Sequence, residues 1–318
     1  MLAAILFAIN ITAPNLLLMA LGFLLQKKAT IDADFVNIAS KIVFNYCLPC
    51  LLFFSVLKSE IHFAEQLNLL IAGILVTFAL FFMAELYAKF FVNDVRDKGV
   101  FVQGVFRSNM GIMGLAMVAS AYGDKGLSIG AVYMGVVTIL YNILAVITLS
   151  RTDVSAKGFA QKARNMGKKM ATNPLIIALI AAFAYKLLNL PELPEFITKT
   201  GKLLANIALP LALICAGASI NARAMLSPSG VSMQASIGRV VIAPIAAVAA
   251  GLVFALNAVQ FGVLFMMVAS PAAAASYIMA KSMGGNDVLA ANILAFTTVA
   301  SVIGMGVGMA VLRTLGWV

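Results

Sequence analysis

Two polar breaks in long apolar runs carry the residues best suited to handle a charged solute. The first reads Arg107-Ser108-Asn109-Met110-Gly111-Ile112-Met113-Gly114. The second reads Ala269-Ser270-Pro271, then four alanines, then Ser276-Tyr277. Glycine, asparagine and proline at such points predict interrupted helices. The second half of an interrupted helix starts with free N–H groups and the positive end of a dipole, which suits an anion. Carbonyls freed at the end of the first half would instead suit a cation. Small residues in the same stretches could instead serve close helix packing with no ligand, a reading that their symmetric placement disfavours. The candidate substrate contacts are Arg107, Ser108, Asn109 and Gly111 in one break and Ser270, Pro271 and Tyr277 in the other. Tyr141-Asn142 adds a phenol and an amide from a further apolar run.

Charges inside apolar runs call for an account, because burying an ion is costly unless it is paired or wetted. Arg107 would either reach out to the membrane interface or meet a substrate carboxylate. Glu85 and Lys89 stand i,i+4, a spacing that allows an ion pair. Glu85 could alternatively take up and release a proton, and a static pairing role is favoured because it lies far from the breaks.

Elements that could position these groups follow from composition. Hydrophobic residues make up 63% of the 318 and charged residues 11%, so the solvent of most of the chain is lipid. Apolar spans are expected at about 3–25, 36–57, 67–90, 99–122, 127–149, 173–190, 196–219, 232–256, 259–280 and 288–312. The first has no basic region ahead of it and is read as a retained span rather than a signal peptide. The net charge of +10 does not point to nucleic acid, because the basic residues gather in short loops. Fifteen of the 22, Arg239 among them, fall on the side of the basic segment that starts at Arg151, six fall on the other, and Arg107 lies within a span. That bias puts the central loop in the cytoplasm and both termini outside, in the plasma membrane (a bacterial inner membrane).

The halves of the chain echo one another. Lys41-Ile42-Val43-Phe44-Asn45-Tyr46-Cys47-Leu48-Pro49 returns as Lys202-Leu203-Leu204-Ala205-Asn206-Ile207-Ala208-Leu209-Pro210, an offset of 161. The same offset sets Asn109 opposite Ser270, Met110 opposite Pro271 and Gly123 opposite Gly284, and Ala13-Pro14 is echoed by Asn173-Pro174. Five spans per half makes the second copy inverted, a pattern typical of secondary transporters. The units are 1–150, a connecting loop 151–171, and 172–318. Pro49 and Pro210 should kink spans two and seven at matched depths. Asn45 and Asn206, one turn earlier, would satisfy the loosened backbone or face a ligand.

Cys47-Leu48-Pro49-Cys50 has no redox context and is read, with Cys215, as apolar packing. His62 falls in a short loop and is expected to be solvated. No Cys/His cluster, nucleophile–base set or phosphate loop emerges, so neither an enzyme nor a metal centre is expected.

Asn45 to Pro49, Ser108 to Gly114, Asn173-Pro174-Leu175-Ile176-Ile177-Ala178, Ala208 to Leu213 with Gly217, and Ser270-Pro271-Ala272 with Tyr277 and Gly284-Gly285 resemble the auxin efflux carrier family. The motifs run the length of the chain in the right order. The family includes plant auxin carriers and bacterial permeases assigned to malate, malonate and related anions. The resemblance implies an all-α membrane protein of ten transmembrane helices in two inverted five-helix repeats, like the bile-acid sodium symporters. Spans one, two, six and seven would form a scaffold, and the rest would move around broken, crossing helices four and nine. Asn109 and Pro271 would hold the crossing, and Glu85 and Lys89 resemble an acid–lysine pair of plant members. Two departures stand out. Leu115-Ala116 replaces the Leu-Pro common in the family, and the central loop is short.

The function expected is a carrier of small organic anions, with the lipid bilayer and the anion as partners and a homodimer compatible with the pattern. No cofactor is expected, and sodium or proton coupling is left open. A sodium- or proton-coupled symporter of another solute is the alternative on the same fold. A cation/proton antiporter is disfavoured, since spans four and nine lack acids, and a ligand-binding sensor would not need two symmetric breaks.

Overall fold

The computed structural model describes residues 2–58, 63–151, 164, 167–168, 171–220 and 230–318. His62 and most of the 151–171 connection lie outside the described residues. Those described are helical, with no strand beyond one isolated bridge. In chain order the helices are α1 (Leu2–Lys27), α2 (Ala33–Lys58), α3 (Leu67–Phe91), α4 (Val95–Phe106), α5 (Met110–Leu149), α6 (Pro174–Leu187), α7 (Glu195–Ala218), α8 (Gly230–Val253), α9 (Ala258–Ala269), α10 (Ala274–Ser282) and α11 (Asp287–Thr314). Seven of these, α1, α2, α3, α5, α7, α8 and α11, are long and apolar enough to cross a membrane. The shorter α6 and α9 are apolar too.

Side-chain caps start several of them where the sequence turns polar. Asp32 accepts from the Phe35 N–H, Asp94 from Arg96, Asn173 from Leu175 and Asn286 from Leu289. Asn257 and Gln260 form a reciprocal capping box at the start of α9. Long α5 contains a corner at Gly123, whose φ of +56° lies in the region an L side chain avoids.

The helices fall into two packed groups. Helix α1 lies against α7, and the second half of α2 lies against α6 and α7. In the other group α3 packs on α4, α5 and α8, α9 packs on α8 and α5, and α4 meets α8, α10 and α11. Contacts of α1 with α5 and α11, and of α2 with α5, join the groups. Helix α4 is buried continuously over Gly99–Phe106, and α9 over Gln260–Ala269. A helical stretch buried on every face is packed by neighbours all round, and these two lie inside the second group. All three cysteines are free, Cys47 and Cys215 buried among apolar neighbours.

Three expectations are corrected. Pro49 follows a π turn, Val43–Cys47, which absorbs the missing hydrogen bond, whereas α7 runs unbroken through Pro210. The matched kinks are therefore not matched: the Pro210 ring sits on an exposed face, where the helix accommodates it without a π turn. Pro14 lies in the middle of α1 while Pro174 opens α6 behind its Asn173 cap, so that echo has two different local meanings. Arg239 does not sit at a span end. It lies well inside α8 and is fully buried, and it leaves the loop-side tally.

Candidate functional site

The two breaks meet. The N–H of Asn109 donates to the Pro271 carbonyl at 2.7 Å, and the N–H of Ala273 donates to the Arg107 carbonyl at 3.0 Å, forming an antiparallel bridge between Ser108 and Ala272. Four helix ends converge there: α4 and α9 arrive by their C-termini, α5 and α10 depart by their N-termini. The Thr297 hydroxyl of α11 accepts the Ala272 N–H at 3.1 Å and donates to the Ile293 carbonyl, which ties the bridge to a third element. Helix α5 begins with a π turn, Met110–Gly114, in which the Asn109 carbonyl receives the N–H groups of both Met113 and Gly114. That turn unwinds the segment without a proline at position 116.

Neither Asn109 nor Ala273 caps the helix it starts with a side chain. First-turn N–H groups have no partner within their own helix, so both starts present donors and positive dipole ends. Asn109, Gly111 and Ile112 are half-buried, Ala274 and Ala275 exposed, and Tyr277 half-buried, so this edge is open. Helix α7 packs against the Met110–Gly114 turn, which places the open edge toward the other group of helices. The Asn109 amide makes no side-chain hydrogen bond among the described residues.

The serines behave differently. Ser108 is buried, its hydroxyl donating to the Met267 carbonyl at 2.8 Å with the Tyr141 hydroxyl 3.1 Å away. Ser270 is buried and donates to the Met266 carbonyl at 2.7 Å. Both hold backbone rather than face the open edge. Pro271 contributes its carbonyl to the bridge and lacks the N–H that would continue α9. Asn45 and Asn206 are exposed on α2 and α7, outside the bridge's hydrogen bonds.

Arg107 caps the C-terminus of α4 and does not reach out to an interface, being only 7% exposed. Its guanidinium donates to Asn142 Oδ1 at 2.8 Å, to Gln103 Oε1 at 3.2 Å and to the Met279 sulfur at 2.7 Å. Sequence reasoning missed Arg239, whose guanidinium donates to the Val268 carbonyl near the end of α9. A signal was present, since Arg239 stands two turns inside an apolar run, as Arg107 does. Among the described residues the ion pairs are Lys58–Asp124, Arg151–Glu85 and Lys199–Glu195, none with either buried arginine.

Glu85 pairs with Arg151 and not with Lys89. One Arg151 nitrogen lies 2.5 and 2.6 Å from the two carboxylate oxygens, and the Thr148 hydroxyl also donates to Glu85. The guanidinium, steadied by the Thr148 carbonyl at 2.7 Å, outcompetes a flexible ammonium. Lys89 instead stands 5.6 Å from the centre of the Phe90 ring. The pair borders an open recess of about 400 Å³ formed with Phe82, Leu86, Lys89 and Lys98. Because the pair is partly wetted, Glu85→Gln should remove only about 0.5–1 kcal/mol. The expected result is a Tm lower by about 1–4 °C. A thermal-unfolding scan of the purified variant beside the wild type checks it.

The sequence matches known membrane proteins along most of its length. A family model described as membrane transport protein matches residues 7–307. The uncharacterized transporter YfdV of Escherichia coli (strain K12) is 24% identical over 304 residues, covering 92% of this chain and 96% of that protein. An uncharacterized transporter of Methanothermobacter thermautotrophicus is 23% identical over 267 residues, covering 83% and 85%.

Proposed function

Since the chain belongs to the membrane transport protein family, we propose that it is a secondary carrier of small organic anions, mono- or dicarboxylates or auxin-like acids. The observation that carries the reading is a pair of buried arginines, Arg107 and Arg239, without a carboxylate partner among the described residues, beside two uncapped helix starts. The uncapped helix starts at the open edge favour a negative solute. Asn109, Gly111 and the first N–H groups of α10 would touch the anion, with Tyr277 as an apolar wall. Arg107 would supply the field, its orientation fixed by Asn142, and Ser108, Ser270 and Pro271 would hold the crossing.

The ten-span reading counts α4 with the first part of α5, and α9 with α10, as two broken spans. Two inverted repeats are supported by Gly123 and Gly284, 161 positions apart and both at positive φ, +56° and +76°. Helices α1, α2, α6 and α7 would serve as scaffold while the other group moves, alternately exposing the crossing. The basic side chains remain biased toward the side of the central connection, which supports a cytoplasmic central loop and external termini in the plasma membrane. Outward movement of an anion down a negative-inside potential releases about 2.3 kcal/mol per charge per 100 mV, so efflux needs no coupling ion. Family membership points away from catalysis.

The test is counterflow in proteoliposomes with labelled malonate, malate and acetate, each set against its uncharged amide. Accumulation of at least one carboxylate, with none of its amide, is the expected result. Binding without exchange would identify a sensor, and amide exchange at the carboxylate's rate would sink the anion reading.

A further inference from the structure

Helices α4 and α9 both stop inside the protein, and their C-termini face the same crossing. Each such end carries roughly half a negative charge, unscreened by water at this depth. At α4 the cap residue itself, Arg107, supplies the compensating cation. Helix α9 has no basic residue in its last turn and is capped by Ser270. The repeat offset of 161 sets Val268 opposite Arg107, so the second half lacks the cation at that position. Arg239 restores it from a different helix, donating to the carbonyl of that same Val268.

The local build of α8 serves this contact. Gly238–Ile242 forms a π turn. A Cβ on Gly238 would meet Val105 Cγ2 at 2.9 Å, so the absent side chain lets α8 close on the end of α4. Arg239 is 0% exposed, and its Nε and Nη1 have no hydrogen-bond partner among the described residues. Its electrostatic neighbours are the phenols of Tyr141 and Tyr133, which do not neutralise it. A buried arginine held by one carbonyl and no acid is expensive unless the surrounding field is negative. Two helix C-termini provide that field.

We propose that Arg239 is a resident counter-cation for the crossing, occupying the place that the two helix C-termini would otherwise offer to a small metal cation. A guanidinium keeps its charge at every pH the protein meets, so this cation stays through the whole cycle. Transport of the anion then proceeds without sodium. The last step rests on the anion-carrier reading; the placement of the cation does not.

Thermal unfolding of the purified full-length chain in sodium chloride and in choline chloride tests the placement with no substrate present. The wild type should unfold within about 1 °C in the two salts. Arg239→Met exposes the α9 carbonyls and should gain sodium sensitivity, with Tm higher in sodium by about 3 °C or more, while Arg239→Lys should remain indifferent. Sodium-specific stabilisation of the wild type or of Arg239→Lys would overturn the proposal. So would a folded Arg239→Met that ignores sodium. If Arg239→Met cannot be purified, the wild type and Arg239→Lys still decide. Failure here leaves the malonate and malate counterflow result untouched, so the two readings fall separately.

Discussion

Asn109→Ala is expected to lower carboxylate counterflow by about 10- to 150-fold, since a hydrogen bond to a charged group is worth about 1.5–3 kcal/mol. The amide is half-buried at the open edge, and no described side chain or backbone group uses it. Its backbone N–H, by contrast, makes the 2.7 Å bond to Pro271, and alanine retains that N–H. The variant should therefore keep the crossing and the fold while losing the ligand contact. Monodisperse elution and an unchanged Tm, together with collapsed counterflow of the carboxylate the wild type carries, are the signature. Near-normal counterflow would remove Asn109 from the substrate site. A collapsed Tm would assign the side chain to the fold.

Gly114→Val should have the opposite profile, an injury to packing that stops transport as a consequence. A Cβ at Gly114 would lie 2.8 Å from the Met267 sulfur and 2.9 Å from Ser270 Oγ, with Met110 Cβ at 3.3 Å. Met267 and Ser270 are both 0% exposed, so neither has room to retreat. Overpacking of this kind costs about 1–3 kcal/mol, or a fall in Tm of about 3–10 °C. Gly304→Ala makes a fair control, because its nearest neighbour would be Val240 Cγ1 at 3.8 Å. Equal stability of the two variants would show that α5 and α9 are not held at contact distance at this point.

The broken segments were legible because glycine, asparagine and proline act locally: a missing N–H or missing Cβ changes the chain wherever it sits. The caps at Asp94, Asn173 and Asn257 were open to the same reasoning. Partnerships between distant segments were less legible. Glu85 has Lys89 one turn away in sequence, yet Arg151 comes to it from the end of α5, a contact that only packing creates. Ser108 and Ser270 read as ligand groups by residue type, but the sequence does not reveal that each hydroxyl turns to a carbonyl. Arg239 stands two turns into its apolar run, near enough to the loop for local reasoning to group it there. Its depth follows from its full burial in α8 and from the proximity of Val105 to Gly238. Pro210 shows the reverse case, a strong local signal that the exposed face of α7 absorbs.

The bridge between the two breaks is made of backbone, N–H to carbonyl in both directions, with the Thr297 hydroxyl as a side support. Side chains at 109, 272 and 273 do not form it; they need only fit around it. Sequence drift can therefore replace these letters while the crossing persists, provided position 271 keeps α9 from continuing and position 114 stays small. Relatives about one quarter identical, such as the bacterial and archaeal transporters above, can share this junction without sharing its spelling. Ancestry in such a protein is better traced by the spacing of its interruptions than by the identity of its residues. Under the anion-carrier proposal, the substrate would be read by the few side chains at the open edge, which are free to diverge independently of the junction that presents them.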